Sequence, residues 1–269
     1  MALPSFDLIS DLHVDFWLDR YPTVDNFVDE LLREEPSKVL VIAGDLGHLN
    51  SQNERLIKSF KRIYDYIFIT FGNHDLYLDD YSERWRFDNN SSNRINAMKH
   101  LLRGIDGVTV LEGSCVSIDG ITFGGTGMWH DFSYGATLGF SESYLYDIWQ
   151  VCMNDANMIL PLFSSQGLRD FFEAELLKLE AILDESQVIV THVGPDAESM
   201  PKMYKNSPIS TFFYFDGSNL LARAKDKIWC YGHTHSHADY YHSDGCRLIN
   251  NAFGYPNEKI GTPIRTIHL

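Results

Sequence analysis

Residues 67–75 read Ile67-Phe68-Ile69-Thr70-Phe71-Gly72-Asn73-His74-Asp75. A short apolar run, rich in β-branched and aromatic residues, ends in a glycine and three lone-pair-bearing side chains. Such a run reads as a buried strand. Its polar residues then stand at the strand's carboxyl end, where ligands gather in open α/β sheets.

The same grammar recurs along the chain. Residues 6–9 lead into Ser10-Asp11-Leu12-His13, and residues 39–43 into Gly44-Asp45. Residues 188–191 lead into His192, and residues 228–231 into Gly232-His233-Thr234-His235. Singly, each is ordinary: an Asp-x-His or Gly-Asp is commonly a turn, and a lone histidine is commonly a satisfied core residue. The ordered set of five strand ends is what argues for one metal site. Imidazole, carboxylate and amide oxygen suit manganese, iron or zinc better than a thiolate set would. If residues 11–13 and 233–235 are extended, Asp11 with His13, and His233 with His235, project to one side.

Between these runs lie helical patterns. Val24, Phe27, Val28, Leu31 and Leu32 recur at helical spacing, as do Leu56, Phe60 and Ile63 after a capping-box reading of Ser51 with Glu54. Leu168, Phe172, Leu176, Leu179 and Leu183 form a third stripe. Residues 108–111, 116–118 and 121–123 read as short strands, with a hairpin at Asp119-Gly120. Residues 238–242 and 246–250 flank Ser243-Asp244-Gly245, a second hairpin. A βαβ-like first half and hairpin-rich later portions together predict an α/β fold. It is a four-layer αββα sandwich of two mixed β-sheets flanked by helices, in one domain over residues 1–269. Residues 194–217, with Pro195, Pro201 and Pro208, resist either assignment and read as a lid loop. Residues 84–93 read as a polar surface loop.

Bulk composition bounds the partners. A formal net charge of −15 repels a nucleic-acid backbone, so no duplex-binding face is expected. Bound metals can nevertheless invert the local field for a phosphate substrate. Cys115, Cys152, Cys230 and Cys246 include no C-x-x-C pair, which suits free thiols in a reducing compartment. Neither a signal peptide nor a membrane span is apparent, so a cytoplasmic protein is expected.

The ordered motifs resemble the calcineurin-like metallophosphoesterase superfamily, over Asp11 through His235. Residues 124–132 and 248–255 are further similar to segments of a bacterial and phage-type subgroup. The resemblance implies that Asp11, His13 and His235 hold one ion and that Asn73, His192 and His233 hold the other, with Asp45 bridging. His74 would contact the phosphate or protonate the leaving group, oriented by Asp75. The implied reaction is in-line attack of a metal-bridging hydroxide on a phosphodiester or phosphomonoester, with two divalent or transition ions, manganese being expected in vitro. A small nucleotide-like ester is the expected substrate. A nuclease of the same superfamily is the alternative, and a non-catalytic protein-binding scaffold ranks below it because every expected position is filled. Self-association into a homo-oligomer is left open.

Departures narrow the subclass. After Gly44-Asp45 the chain lacks the downstream Asp-Arg-Gly of the superfamily's protein phosphatases, and His48 stands where purple acid phosphatases place a tyrosine. His48 is either a pocket residue or a polar loop residue. Trp129, His130 and Asp131 read as a substrate wall or as aromatic packing at the sandwich edge. Tyr204, Phe212, Phe213, Tyr214 and Phe215 read as a base-stacking surface, a loop anchor or a dimer contact. His237 and His242 read as surface residues, and Asn250 and Tyr255 as supports behind the site.

Overall fold

The computed structural model describes residues 4–258 and 263–269. Among the described residues the strands are β1 (Ser5–Ile9), β2 (Val39–Ala43), β3 (Tyr66–Thr70), β4 (Val108–Val110), β5 (Ser114–Ile118), β6 (Ile121–Gly125), β7 (Val188–Val190), β8 (Ile228–Tyr231), β9 (His237–Tyr241), β10 (Arg247–Asn251) and β11 (Arg265–His268). They form a five-stranded sheet, β11-β1-β2-β3-β4, and a six-stranded sheet, β5-β6-β7-β8-β10-β9. In the first, β1 to β4 are parallel and β11 is antiparallel to β1. In the second, β6, β7, β8 and β10 are parallel, with hairpin partners β5 and β9 at the edges.

Period-two alternation builds the layers. Val39, Val41 and Ala43 of β2 meet Phe123, Val188, Val190 and Cys230 of the other sheet in a shared core. Leu40 and Ile42 face the opposite way and pack against Phe27, Val28, Leu56 and Phe60 of the covering helices. On the far side, Ile189, Trp229 and Leu248 receive Leu179, Ile182 and Leu183 from the helix Ser165–Leu183. The expected αββα order is therefore present, two mixed sheets between two helical layers. Both hairpins form, with Asp119 (φ 50°) and Gly120 (φ 88°) in the left-handed conformations that a tight turn requires. Among the described residues no helix is long and apolar enough to cross a membrane.

Two local expectations need correction. The helix Asn50–Phe60 starts at an uncapped Leu49, so Ser51 lies inside its first turn and the capping box does not form. Glu54 reaches forward to Lys58 (2.6 Å) instead of back to the helix start. Residues 84–93 are no surface loop. They hold the end of the helix Tyr81–Arg86 and the start of the helix Ser91–Arg103, capped by Asn90. Residues 194–217 contain two 3-10 turns, Lys202–Tyr204 and Pro208–Phe213, and one bridge between Gly194 and Tyr214.

Parallel strands run the same way, so the carboxyl ends of β1, β2 and β3 lie along one edge, facing those of β7 and β8. Backbone bonds sew them together: Asp11 N–H to Gly44 O (3.0 Å), His13 N–H to Asp45 O (3.1 Å) and Gly232 N–H to His192 O (2.9 Å). Other links cross between the sheets: Ser10 N–H donates to Asn251 O (3.1 Å) and His233 N–H to Asp11 Oδ1 (3.0 Å).

Candidate metal centre

Seven side chains meet at this edge. One ligand atom each from Asp11, His13, Asp45 and His235 lie within 4.8 Å of one another, as do atoms of Asp45, His192 and His233. Asp45 belongs to both groups. Its Oδ2 lies 3.7 Å from His13 Nε2 and 3.4 Å from His192 Nε2. Asn73 Oδ1 joins the second group, 3.1 Å from His192 Nε2.

The backbone that aims these groups is not extended, which corrects the pleat argument. Asp11 (φ 53°), His13 (42°), Asp45 (56°), His233 (66°) and His235 (42°) all adopt the left-handed region that non-glycine residues rarely occupy. Side chains two apart converge because the chain kinks at each. Such strain persists only where the surroundings enforce it, and it clusters at functional sites. Two glycines make room. Gly44 has φ +90°, and a methyl group on Gly72 would strike both the Asp45 carboxylate and the His192 ring.

Three of the four imidazoles are turned by a bond on the far side, His13 being the exception. His192 Nδ1 lies 2.9 Å from Ala43 O, His233 Nε2 3.1 Å from Phe212 O, and His235 Nδ1 2.7 Å from Glu258 Oε2. Donation there places the lone pair of the other nitrogen in the site. Asn73 is fixed likewise: its amide N–H groups donate to Asp155 Oδ1 (2.8 Å) and Tyr77 Oη (3.0 Å), leaving its oxygen inward. His192 Nε2 and His233 Nδ1 are then 3.2 Å apart, and His13 Nε2 and His235 Nε2 are 3.0 Å apart. Each close pair needs a positive charge between its nitrogens, a proton on His192 or His235 in the cation-free site and a cation in a loaded one. The donor set and its geometry therefore fit cations, with three borderline nitrogen or oxygen ligands per group and one shared carboxylate.

The charges agree. Burial pushes Asp45 up, but His192 and then His74 outweigh it and hold the carboxyl well below its usual range. Burial likewise opposes the charge on Asp11, and the His235 hydrogen bond wins, so that carboxyl is also lowered. Burial drives His233 down to about 4 and His74 down to about 3. Against the pull of burial, Asp45 lifts His192 to about 9, while Asp11 and Glu258 lift His235 to about 10.

His74 lies beside both groups, its ring centroid 4.4 Å from that of His13. Its Nδ1 lies 2.8 Å from His48 Nε2, and its Nε2 lies 2.9 Å from the Tyr255 hydroxyl. His48 Nδ1 in turn lies 3.1 Å from Asp79 and 3.3 Å from Asp15. The expectation that Asp75 orients His74 is wrong. Asp75 accepts from the backbone N–H of Asp45 (3.0 Å), Leu46 (3.1 Å) and Gly72 (2.9 Å), so it shapes the turns that present Asp45. Burial, with the nearby Asp45 charge, pushes the Asp75 carboxyl up to about 7.

Several residues escaped sequence reasoning: Asp15, Asp79, Asp155, Glu258 and Arg94. Buried Arg94 donates to the carbonyls of His74 (2.8 Å), Tyr77 (2.8 Å) and Gly47 (2.7 Å), tying two ligand-bearing loops together. No local pattern marks any of them. Of the open readings, His48 does not line the cleft but stands behind His74, in contact with its ring. Trp129 and His130 pack in an aromatic cluster with Phe132 and Phe212, while Asp131 caps a turn at Ser133. Tyr204, Phe213 and Tyr214 line the cleft, whereas Phe215 packs beneath it against Trp229. Asn250 donates to Gly232 O (3.1 Å) and Thr234 Oγ1 (2.8 Å), supporting the His233 loop from behind. His237 lies on β9 and His242 at the hairpin end, outside both ligand groups.

The calcineurin-like phosphoesterase family model matches residues 4–237, and the chain belongs to that family. Among solved structures, the phosphopantetheinyl hydrolase of Mycobacterium tuberculosis superposes with a TM-score of 0.73 at 19% identity, over 99% of this chain and 96% of that one. That likeness is one of fold. A dimetal phosphatase from Danio rerio aligns over 100% of this chain and 93% of its own at 17% identity, with a TM-score of 0.49, too loose to bear on the site. No curated protein sequence matches the chain.

Proposed function

We propose that this chain is a two-metal phosphoesterase that hydrolyses a small, nucleotide-like phosphodiester or phosphomonoester in the cytoplasm. The observation that carries the reading is Asp45: one buried carboxylate shared by two ligand groups, with His74 beside both. Asp11, His13, Asp45 and His235 would hold one cation, and Asp45, Asn73, His192 and His233 the other. Manganese, iron and zinc all suit this donor set, manganese being the ion to try first. When bound, such a pair acidifies a shared water and draws the phosphate oxygens into place for in-line displacement.

The chain's own residues supply the rest. The cleft-facing Nε2 of His74 donates a proton to the departing oxygen, and the Tyr255 hydroxyl beside it donates to a phosphoryl oxygen. The replacement proton reaches His74 Nδ1 from His48, which Asp15 and Asp79 hold in place. Asp75 keeps the Asp45 turn rigid. The test is a screen of manganese-loaded protein against chromogenic mono- and diesters, cyclic nucleotides and a single-stranded oligonucleotide. Turnover of the small esters that vanishes in Asp45→Asn supports the reading. Preferential, salt-sensitive cutting of the oligonucleotide would assign a nuclease instead, and full activity in Asp45→Asn would refute the chemistry.

A further inference from the structure

The cleft above the site has a volume of about 740 Å³ and two walls. One comes from Cys152, Met153 and Asn154, and the other from the segment between Met200 and Tyr214. Most of what they offer is thioether, aliphatic carbon and aromatic ring, from Met153, Met200, Ile209, Phe213, Tyr204 and Tyr214, with Asn154, Ser207 and Ser210 as neutral polar groups among them. Phe213 lies against His233, ring centroids 4.9 Å apart, so this wall runs straight down to the ligand groups. Among the described residues, the acidic groups in the lining are Asp45 at the floor and Glu258 at the edge. Lys202 and Lys205 belong to the same segment but are exposed and do not line the cleft.

Building on the phosphoesterase reading, we infer that the group esterified to the phosphate is uncharged and aromatic or apolar, gripped between Met153 on one side and Met200, Ile209 and Phe213 on the other. Among the described residues no lysine or arginine lines this cavity, and with cations bound to His233 and His235 its positive charge sits at the floor, where one phosphate consumes it. A second anionic group would meet carboxylates, hydrocarbon and neutral hydroxyl or amide groups but no described cationic side chain, which returns less than the hydration it loses. Thioethers are polarisable and flexible enough to close on rings of different outline, which suits an aryl group or a base better than a polyphosphate chain.

Two diesters sharing a p-nitrophenolate leaving group separate the possibilities: p-nitrophenyl phenyl phosphate and its 4-carboxyphenyl counterpart. With manganese-loaded protein, the neutral ester should show kcat/KM higher by at least about tenfold, the scale on which an apolar pocket discriminates. Ile209→Lys, at a position 38% exposed where folding is spared, should shrink that preference to under about threefold. Equal turnover of both esters by the unaltered protein overturns the inference and leaves the enzyme class standing. An unchanged preference in a folded Ile209→Lys protein, checked by circular dichroism, removes the wall from its role. Hydrolysis of neither ester would instead count against the phosphoesterase reading itself.

Discussion

His48 Nε2 stands 2.8 Å from His74 Nδ1, with the two rings stacked at an interplanar angle of 14°. An imidazole, itself braced by two carboxylates, occupies the place where an acidic residue next in sequence was expected. His48→Ala should therefore lower kcat by about 10–100-fold, the usual cost of losing a group that orients another. KM and metal content should stay near their original values, as read by steady-state kinetics and elemental analysis. An unaltered kcat would leave His48 a mere loop residue.

His74→Ala should cost about 10²–10⁴ in turnover, the range for loss of a general acid. Metal stoichiometry should not change, because no ligand atom is removed. Loss of both ions in that variant would make His74 a ligand instead.

Much of this centre was legible because its candidate ligands follow buried strands, whose short, unbroken, β-branched-rich apolar runs stand out in the sequence. Asp11, Asp45, Asn73, His192 and His233 each stand just past such a run. The direction in which they point was not legible, since a left-handed φ at His13 or His235 is imposed by tertiary contacts that leave no mark on an Asp-x-His or His-x-His spacing. Asp155 and Glu258 were invisible for a related reason: each is an ordinary acidic residue whose partner lies 82 and 23 positions away. The capping box failed because Ser51 and Glu54 satisfy a pattern that the fold had no need to use.

Cation binding should expel protons. In the cation-free site His192 titrates near 9 and His235 near 10, so both carry a proton at neutral pH. A cation needs the lone pair that the proton holds. Affinity for manganese should accordingly rise as pH climbs from 6 towards 9. Without cations the sign reverses: folded-state values above the ordinary histidine value of 6.5 contribute stability that is complete below 6.5 and lost on passing through 9 to 10. Titration calorimetry in buffers of different ionisation enthalpy measures the released protons directly, and a zero count would contradict the assignment.

Gly72→Ala should yield a folded protein that no longer fills its second cation position. The new methyl group collides with Asp45 and His192 at the point where the two groups meet. Elemental analysis after reconstitution should find fewer ions per chain than in the unaltered protein, whereas undiminished loading would show that the strand end can yield.

Arg94→Ala should destabilise the chain by about 2–5 kcal/mol, because three buried carbonyls lose their donor and a large side chain leaves a void. Urea unfolding monitored by tryptophan fluorescence measures it. A change under about 1 kcal/mol would mean that water replaces the guanidinium.

The bond from His233 to Asp11 joins the two halves of the sandwich at its most charged point, and Glu258, close to the carboxyl end, closes the circle from behind His235. Neither half owns a complete set of ligands. A fragment cut ahead of β10 would keep all seven candidate ligands yet lack Glu258 behind His235 and Tyr255 beside His74. Cation retention by such a shortened protein should therefore report how far the flanking side chains, and not the candidate ligands alone, hold the imidazoles in place.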